Sequence, residues 1–121
     1  MRRAFAIGIR VLSWALMLLF VAVGAAKFTS PGWATRFAEW GYPDGLRLLV
    51  GVVEIVGGAG LLLGPTRQPA GAALMVVMLG AAGTHIVYSE WTRALVAAVL
   101  GGLVLLVLRG LRESSAAPTR S

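Results

Sequence analysis

The chain has 121 residues, of which 58% are hydrophobic and 13% charged, and its net charge is +6. Soluble domains are about 25% charged, so this composition excludes an ordinary soluble protein and predicts an integral membrane protein. The chain has no cysteine and a single histidine. It therefore has no ligands for an iron–sulfur cluster or a bis-histidine haem of its own, and we expect neither a metal site nor a self-contained redox centre.

Four long apolar runs predict membrane-spanning helices, because about 20 apolar residues cross the hydrocarbon core. The predicted spans cover about residues 5–26, 46–64, 70–88 and 94–109. The loops are short, so we predict one all-α domain over residues 1–113, an antiparallel four-helix transmembrane bundle. Residues 64–69, rich in glycine and proline, are predicted to form a tight turn, and residues 114–121 a disordered cytoplasmic tail. The first span resembles a signal peptide, but its apolar run is longer than a usual signal sequence has.

The basic residues are distributed unevenly between the two sides of this predicted bundle. Seven fall on the side of the termini and four on the opposite side, namely Arg2, Arg3, Arg10, Arg67, Arg109, Arg112 and Arg120 against Lys27, Arg36, Arg47 and Arg93. By the positive-inside rule both termini are cytoplasmic. The net positive charge thus orients the bundle in the lipid bilayer and does not indicate a nucleic-acid partner.

A short segment between the first two spans carries helix-start signals and an aromatic face. Ser30 is a candidate N-cap with Pro31 at the first helical position. Trp33, Phe37 and Trp40 then recur at helical spacing, which predicts a short amphipathic helix lying in the membrane interface. An ordered loop anchored by its tryptophans is the alternative.

Glu54 lies near the middle of the second apolar run. A carboxylate at that depth costs about 2.5–3.5 kcal/mol on insertion scales, so such groups face the interior of a bundle and have a partner. Its helical neighbours Gly51, Gly57 and Gly58 form a small-residue face suited to helix contact.

Three polar residues are expected at similar depths. Lys27 closes the first span, Glu54 lies about 12 Å below the start of the second, and His85 lies about 5 Å from the end of the third. We predict a cluster of these three residues in the outer half of the bundle, beneath the Trp33/Trp40 segment. They are the candidate catalytic residues, and Tyr88 and Trp33 are weaker candidates for binding a cofactor. We expect Lys27 to keep Glu54 ionised. A purely architectural ion pair and an interfacial histidine are the alternative.

The order of these features resembles the DoxX and DoxX-like family. The residues that carry the resemblance are Ala25-Ala26-Lys27-Phe28, the Pro31 to Pro43 segment, the glycine-rich run around Glu54 and His85 late in the third span. The resemblance implies a small four-helix protein of the bacterial inner membrane. It also implies an association with respiratory or sulfur redox enzymes, because the family is named after a subunit of a thiosulfate:quinone oxidoreductase.

Three functions compete at this point. The first is a membrane subunit of an oxidoreductase assembly, with the polar cluster binding a quinone or relaying protons. The second is a non-catalytic membrane anchor or assembly factor, and the third a small proton-coupled exporter. Small multidrug exporters carry their key glutamate in the first helix, whereas the first span here has no acid. A homo-oligomer and an oxidoreductase subunit are the expected candidate partners.

Overall fold

The computed structural model describes the backbone of residues 2–116 and the side chains of residues 2–112. Within that range the chain forms five α-helices and no strand: α1 (Arg2–Thr29), α2 (Pro31–Glu39), α3 (Asp44–Gly60), α4 (Gly64–Val87) and α5 (Trp91–Ala116). The all-α class expected from the sequence is confirmed.

The helix predicted between the first two spans is present as α2. Ser30 has an extended backbone and Pro31 opens the helix, so α1 and α2 are separated by this single residue. Gly41, at φ +80°, then turns the chain toward α3 in the left-handed region that glycine adopts without strain.

The connection between α3 and α4 is shorter than predicted. α4 begins at Gly64, within the segment predicted as a turn. Pro65 lies in the first turn of α4, where backbone N–H groups make no hydrogen bond within the helix, so a proline is tolerated there. Thr66 Oγ1 donates to the Gly60 carbonyl at 3.0 Å and Arg67 Nε donates to the Leu61 carbonyl at 2.9 Å. Side chains of α4 thereby satisfy the last carbonyls of α3, so residues 61–63 suffice as a turn.

α5 continues past its predicted end to Ala116. The predicted span ended at about residue 109, but arginine has a high helix propensity, so Arg109 and Arg112 allow α5 to continue. Residues 114–116 of the predicted tail are therefore helical, and residues 117–121 lie outside the described residues.

The helices pack as two pairs, α1 with α3 and α4 with α5, and each pair also contacts the other through α3–α4 and α1–α5. In a helix pair, residues later in the first helix contact residues earlier in the second: Gly24 lies against Gly51, and Phe20 against Gly58. The other helix contacts follow the same order, with Gly57 on Leu74, Gly60 on Ala70, Gly71 on Leu108 and Gly101 on Met78.

An apolar core occupies the end of the helices near the α3–α4 turn, which we call the inner end. It includes the fully buried side chains of Phe20, Leu61, Leu74, Val104 and Val107. The opposite end, covered by α2, is the outer end. Toward it the core gives way to a cavity.

Among the described residues, α1, α4 and α5 are long and apolar enough to cross a membrane. α3, predicted as the second span, has 17 residues and carries Arg47 and Glu54. At 1.5 Å per residue it is about 26 Å long, slightly less than the hydrocarbon core.

Candidate functional site

A buried ion pair joins the outer half of α1 to the middle of α3. Lys27 Nζ lies 2.6 Å from Glu54 Oε1, and the two side chains are only 4% and 3% exposed. The helices approach closely here because Gly24 faces Gly51: a Cβ on Gly24 would lie 2.7 Å from the Gly51 carbonyl oxygen. The pairing of Lys27 with Glu54 expected from their depths is therefore present.

Lys27 has further contacts on two sides. Its ammonium lies 4.0 Å from the centroid of the Trp33 ring, a cation–π contact. Its backbone carbonyl accepts a hydrogen bond from Arg47 Nη1, and Arg47 Nη2 lies 2.9 Å from Asp44 Oδ1. These contacts hold the end of α1 against the start of α3.

Lys27 Nζ lies 2.6 Å from Glu54 Oε1 and is its charged partner. Glu54 also lines the cavity described below. Its carboxylate is therefore held by α1 and lies at the cavity wall.

His85 pairs with Glu90 and not with Glu54. Nδ1 lies 2.7 Å from Glu90 Oε1, and the ring meets Trp40 edge-on with centroids 5.5 Å apart. The tight turn after α4, with Ser89 at φ 58°, brings Glu90 back beside His85. The predicted three-residue cluster is therefore two separate pairs, the Lys27–Glu54 ion pair and the His85–Glu90 hydrogen bond, because this local partner lies closer to His85 than Glu54 does.

The Glu90 contact also determines what His85 offers to a ligand. A carboxylate only accepts hydrogen bonds, so Nδ1 carries a proton in this arrangement. Nε2 makes no hydrogen bond within the described residues. His85 can therefore accept a proton or donate one at Nε2 while Glu90 holds the ring in place.

A cavity of about 1080 Å³ connects the two pairs. Lys27, Glu54 and His85 all line it, between apolar walls from α1, α3, α4 and α5. Its volume is at the upper end of the range of small-molecule sites, about 300–1,000 Å³. A large apolar cavity with a few convergent polar groups is the usual form of a ligand site.

Aromatic side chains of α2 cover the outer end of the cavity. Trp33, Phe37 and Trp40 line it, and Phe37 is buried among Trp33, Trp40 and Tyr42 with ring centroids 5.3–6.2 Å apart. This aromatic face was expected at the depth of the lipid headgroups. It packs over the outer end of the cavity. We call these four residues the aromatic lid.

The two candidate cofactor-binding residues have different positions. Trp33 lies in the cavity wall and contacts Lys27. Tyr88 is half-exposed outside the wall, and its hydroxyl donates to the Trp40 carbonyl at 2.9 Å. Tyr88 thus holds the aromatic lid against the end of α4 and does not face the cavity.

Sequence reasoning missed a hydrogen bond that crosses the cavity mouth. Tyr42 Oη lies 2.6 Å from Thr84 Oγ1, which also donates to the Gly80 carbonyl at 2.9 Å. Both residues line the cavity, as do Arg36 and Arg93. The position of Thr84 directly before His85 was the one available signal, because adjacent helical residues lie at the same depth.

Tyr42→Phe is expected to lower the free energy of unfolding by about 1 kcal/mol, the net value of a typical hydrogen bond. Thr84 keeps its bond to Gly80, so the loss is confined to the link between α4 and the aromatic lid. Thermal unfolding in detergent measures the change. Thr35→Ala is the control, since that hydroxyl is exposed and bonds within α2; an equal loss in both variants contradicts the assignment.

Comparison with known proteins agrees with this architecture. The sequence model of the DoxX-like family matches residues 11–107, most of the chain and all of the polar groups described above. The chain belongs to the DoxX-like family. Together with the three long apolar helices, membership of the DoxX-like family makes it a membrane protein. No curated protein and no protein of solved structure matched the chain.

Proposed function

We propose that this DoxX-like protein is a membrane subunit of an oxidoreductase assembly and that its cavity binds the headgroup of a quinone. One observation carries the proposal: an apolar cavity of about 1080 Å³ has the Lys27–Glu54 ion pair and the hydrogen-bonded pair His85–Glu90 in or beside its wall. Family membership is consistent with this function, whereas the choice of ligand rests on the cavity.

The residues in the wall fit a quinone. The aromatic lid and the aliphatic walls suit a flat ring and its apolar chain. Lys27 Nζ and, when protonated, His85 Nε2 are donors for quinone carbonyls, while the Glu54 carboxylate is an acceptor for a quinol hydroxyl. The binding groups of both redox forms are therefore present.

The chemistry assigned to this chain is the proton half of the reaction. Reduction of a quinone to a quinol adds an electron pair and protons, and the chain has no cysteine and one histidine with which to hold a redox group. The electrons are thus assigned to a partner oxidoreductase subunit. Glu54 and His85 are assigned to proton transfer, for which carboxylates and imidazoles are the usual groups.

The arrangement in the membrane is part of the proposal. Helix contacts in opposite chain directions support an antiparallel four-helix transmembrane bundle of α1, α3, α4 and α5, with α2 at the interface. The basic residues of the termini and Arg67 in the first turns of α4 support a cytoplasmic inner end. The bacterial inner membrane is the location proposed for it.

The test is quinone content after purification in mild detergent, measured by lipid extraction and mass spectrometry. We expect quinone to co-purify with the unchanged protein and with Glu39→Gln, which alters an exposed carboxylate outside the cavity. We expect Glu54→Gln to lose at least about tenfold in bound quinone, since that corresponds to only 1.4 kcal/mol of binding free energy.

A second variant separates binding from stability. Glu54→Gln leaves Lys27 unpaired, whereas His85→Gln leaves the Lys27–Glu54 pair intact and removes the acid–base group at the opposite wall. Loss of quinone from His85→Gln at unchanged thermal stability, together with its loss from Glu54→Gln, supports the proposal. Absence of quinone from the unchanged protein contradicts it.

The buried ion pair favours one alternative. Lys27 and Glu54 neutralise each other, and buried pairs of this kind also serve only to specify helix register. A protein partner that co-purifies without quinone, from the unchanged protein and from Glu54→Gln alike, would identify the chain as a non-catalytic anchor or assembly factor.

A further inference from the structure

The two helix pairs touch at the inner end and separate toward the outer end. Between α3 and α4 the close contacts are Gly60 with Ala70 and Gly57 with Leu74. Between α1 and α5, Ile9 lies against Gly110, also at the inner end. Beyond these contacts the helices line the cavity, so the cavity occupies the space between diverging helix pairs.

The gap between α3 and α4 has residues that line the cavity and also face outward. Leu49 on α3 is 58% exposed and Val76 on α4 is 69% exposed, yet both belong to the cavity wall. Gly80, one turn further along α4, also lines the cavity and is exposed. A residue that lines the cavity and is also exposed on the outer surface of the protein lies at the edge of an opening.

No side chain fills this edge at Gly80. A Cβ built there would have no atom within 4 Å. On the opposite side, between α1 and α5, the corresponding residues are Leu19 and Val96, which are less exposed at 39% and 52%. The α3–α4 gap is therefore the wider candidate opening.

The outer end of the cavity, in contrast, is covered. The aromatic lid lies across it, and two hydrogen bonds, Tyr42–Thr84 and Tyr88–Trp40, tie the lid region to α4. A ligand that arrives from water would have to break these contacts. The apolar edge between α3 and α4 faces the bilayer in the proposed arrangement and needs no such change.

We infer that the cavity opens sideways into the bilayer between α3 and α4, and that its ligand is a membrane-dissolved quinone whose long apolar chain leaves through this opening. The inference rests on the proposed function and adds the class of quinone and its route. The aliphatic edge formed by Leu49, Val76 and the space beside Gly80 suits a hydrocarbon chain. It has no charged side chain that would suit a water-soluble quinone.

The test compares two glycines of α4. Gly80→Phe adds a ring at the opening from a Cβ that meets no atom within 4 Å. Gly83→Phe is the matched control, because Gly83 is also exposed with no atom within 4 Å of a built Cβ but lies outside the wall. Binding is measured in liposomes for a long-chain quinone, and in detergent for a short-chain quinone with the same headgroup. Val76→Trp is a second variant at the same edge.

We expect Gly80→Phe and Val76→Trp to weaken long-chain binding by about tenfold or more, since the added ring occupies the space that the chain needs and overpacking of this kind is comparable in cost to the roughly 1.4 kcal/mol that a tenfold change represents. Short-chain binding should stay within a factor of about three, and Gly83→Phe should change neither value. Unaltered long-chain binding in Gly80→Phe overturns the lateral opening while leaving the quinone site intact. Equal loss of both quinones also overturns it. If neither quinone binds to the unchanged protein, the proposed function is wrong, and this inference with it.

Discussion

Lys27→Met is expected to cause the largest loss of stability of any single substitution considered for this protein, about 3–5 kcal/mol. The variant keeps the length of the side chain but removes the charge that lies 2.6 Å from Glu54 Oε1. Glu54 would then be a buried carboxylate without a counter-charge. Breaking such a pair costs more than the pair itself contributes, because the remaining charge has lost its solvent and its partner. Unfolding in detergent, followed by circular dichroism, measures the change.

The control for this prediction is the double variant Lys27→Met/Glu54→Leu. Replacing both charges by apolar groups removes the desolvated ions altogether, so most of the lost stability should return. Glu39→Gln provides the baseline for an exposed carboxylate. If the double variant is no more stable than Lys27→Met, the destabilisation comes from lost packing around Lys27 and not from an orphaned charge.

Gly24→Ala is expected to destabilise the protein by about 1–3 kcal/mol, as overpacked positions do. The added Cβ would lie 2.7 Å from the Gly51 carbonyl oxygen and 2.8 Å from Ile55 Cγ1. The oxygen belongs to the backbone of α3, so α1 must move outward to relieve the contact. That movement also separates Lys27 from Glu54, one helical turn away, and quinone binding should fall with stability.

Gly8→Ala is the matched control on the same helix. Gly8 has no atom within 4 Å of a built Cβ, so the substitution meets no neighbour. Alanine is a better helix former than glycine by about 1 kcal/mol, so this variant should be neutral or slightly more stable. The two Gly→Ala changes in α1 are therefore expected to have opposite signs. Equal stability of Gly24→Ala and Gly8→Ala in thermal unfolding contradicts the close α1–α3 contact.

Depth along the helices could be predicted from the sequence with some success. The rise of 1.5 Å per residue places Lys27, Glu54 and His85 in the same half of the protein, and all three line one cavity. Glu54 was expected to face inward because its neighbours on that face are glycines, and it is buried against α1. These features depend on position along one helix, which apolar runs and spacing report directly.

The partner of each polar group was harder to predict. His85 was expected beside Glu54, but the turn at Ser89 brings Glu90 to its Nδ1. Tyr42 was passed over as part of a loop, although it bonds Thr84 across the mouth of the cavity. The partner of a polar group depends on how each helix is rotated about its axis and on how the turns fold back. The spacing of residues along the sequence reports neither.

The sequence by itself determined the class of protein and its family. Long apolar runs require a nonpolar environment, and the order of Lys27, the Pro31–Pro43 segment, Glu54 and His85 is similar to the DoxX-like family to which the chain belongs. Only the tertiary structure decided that one cavity contacts both the Lys27–Glu54 pair and His85, and that the aromatic lid covers its outer end. The physical reason is that a cavity is the space left where helix pairs diverge. Their divergence follows from contacts at the inner end, between residues such as Gly57 and Leu74 that lie on different helices.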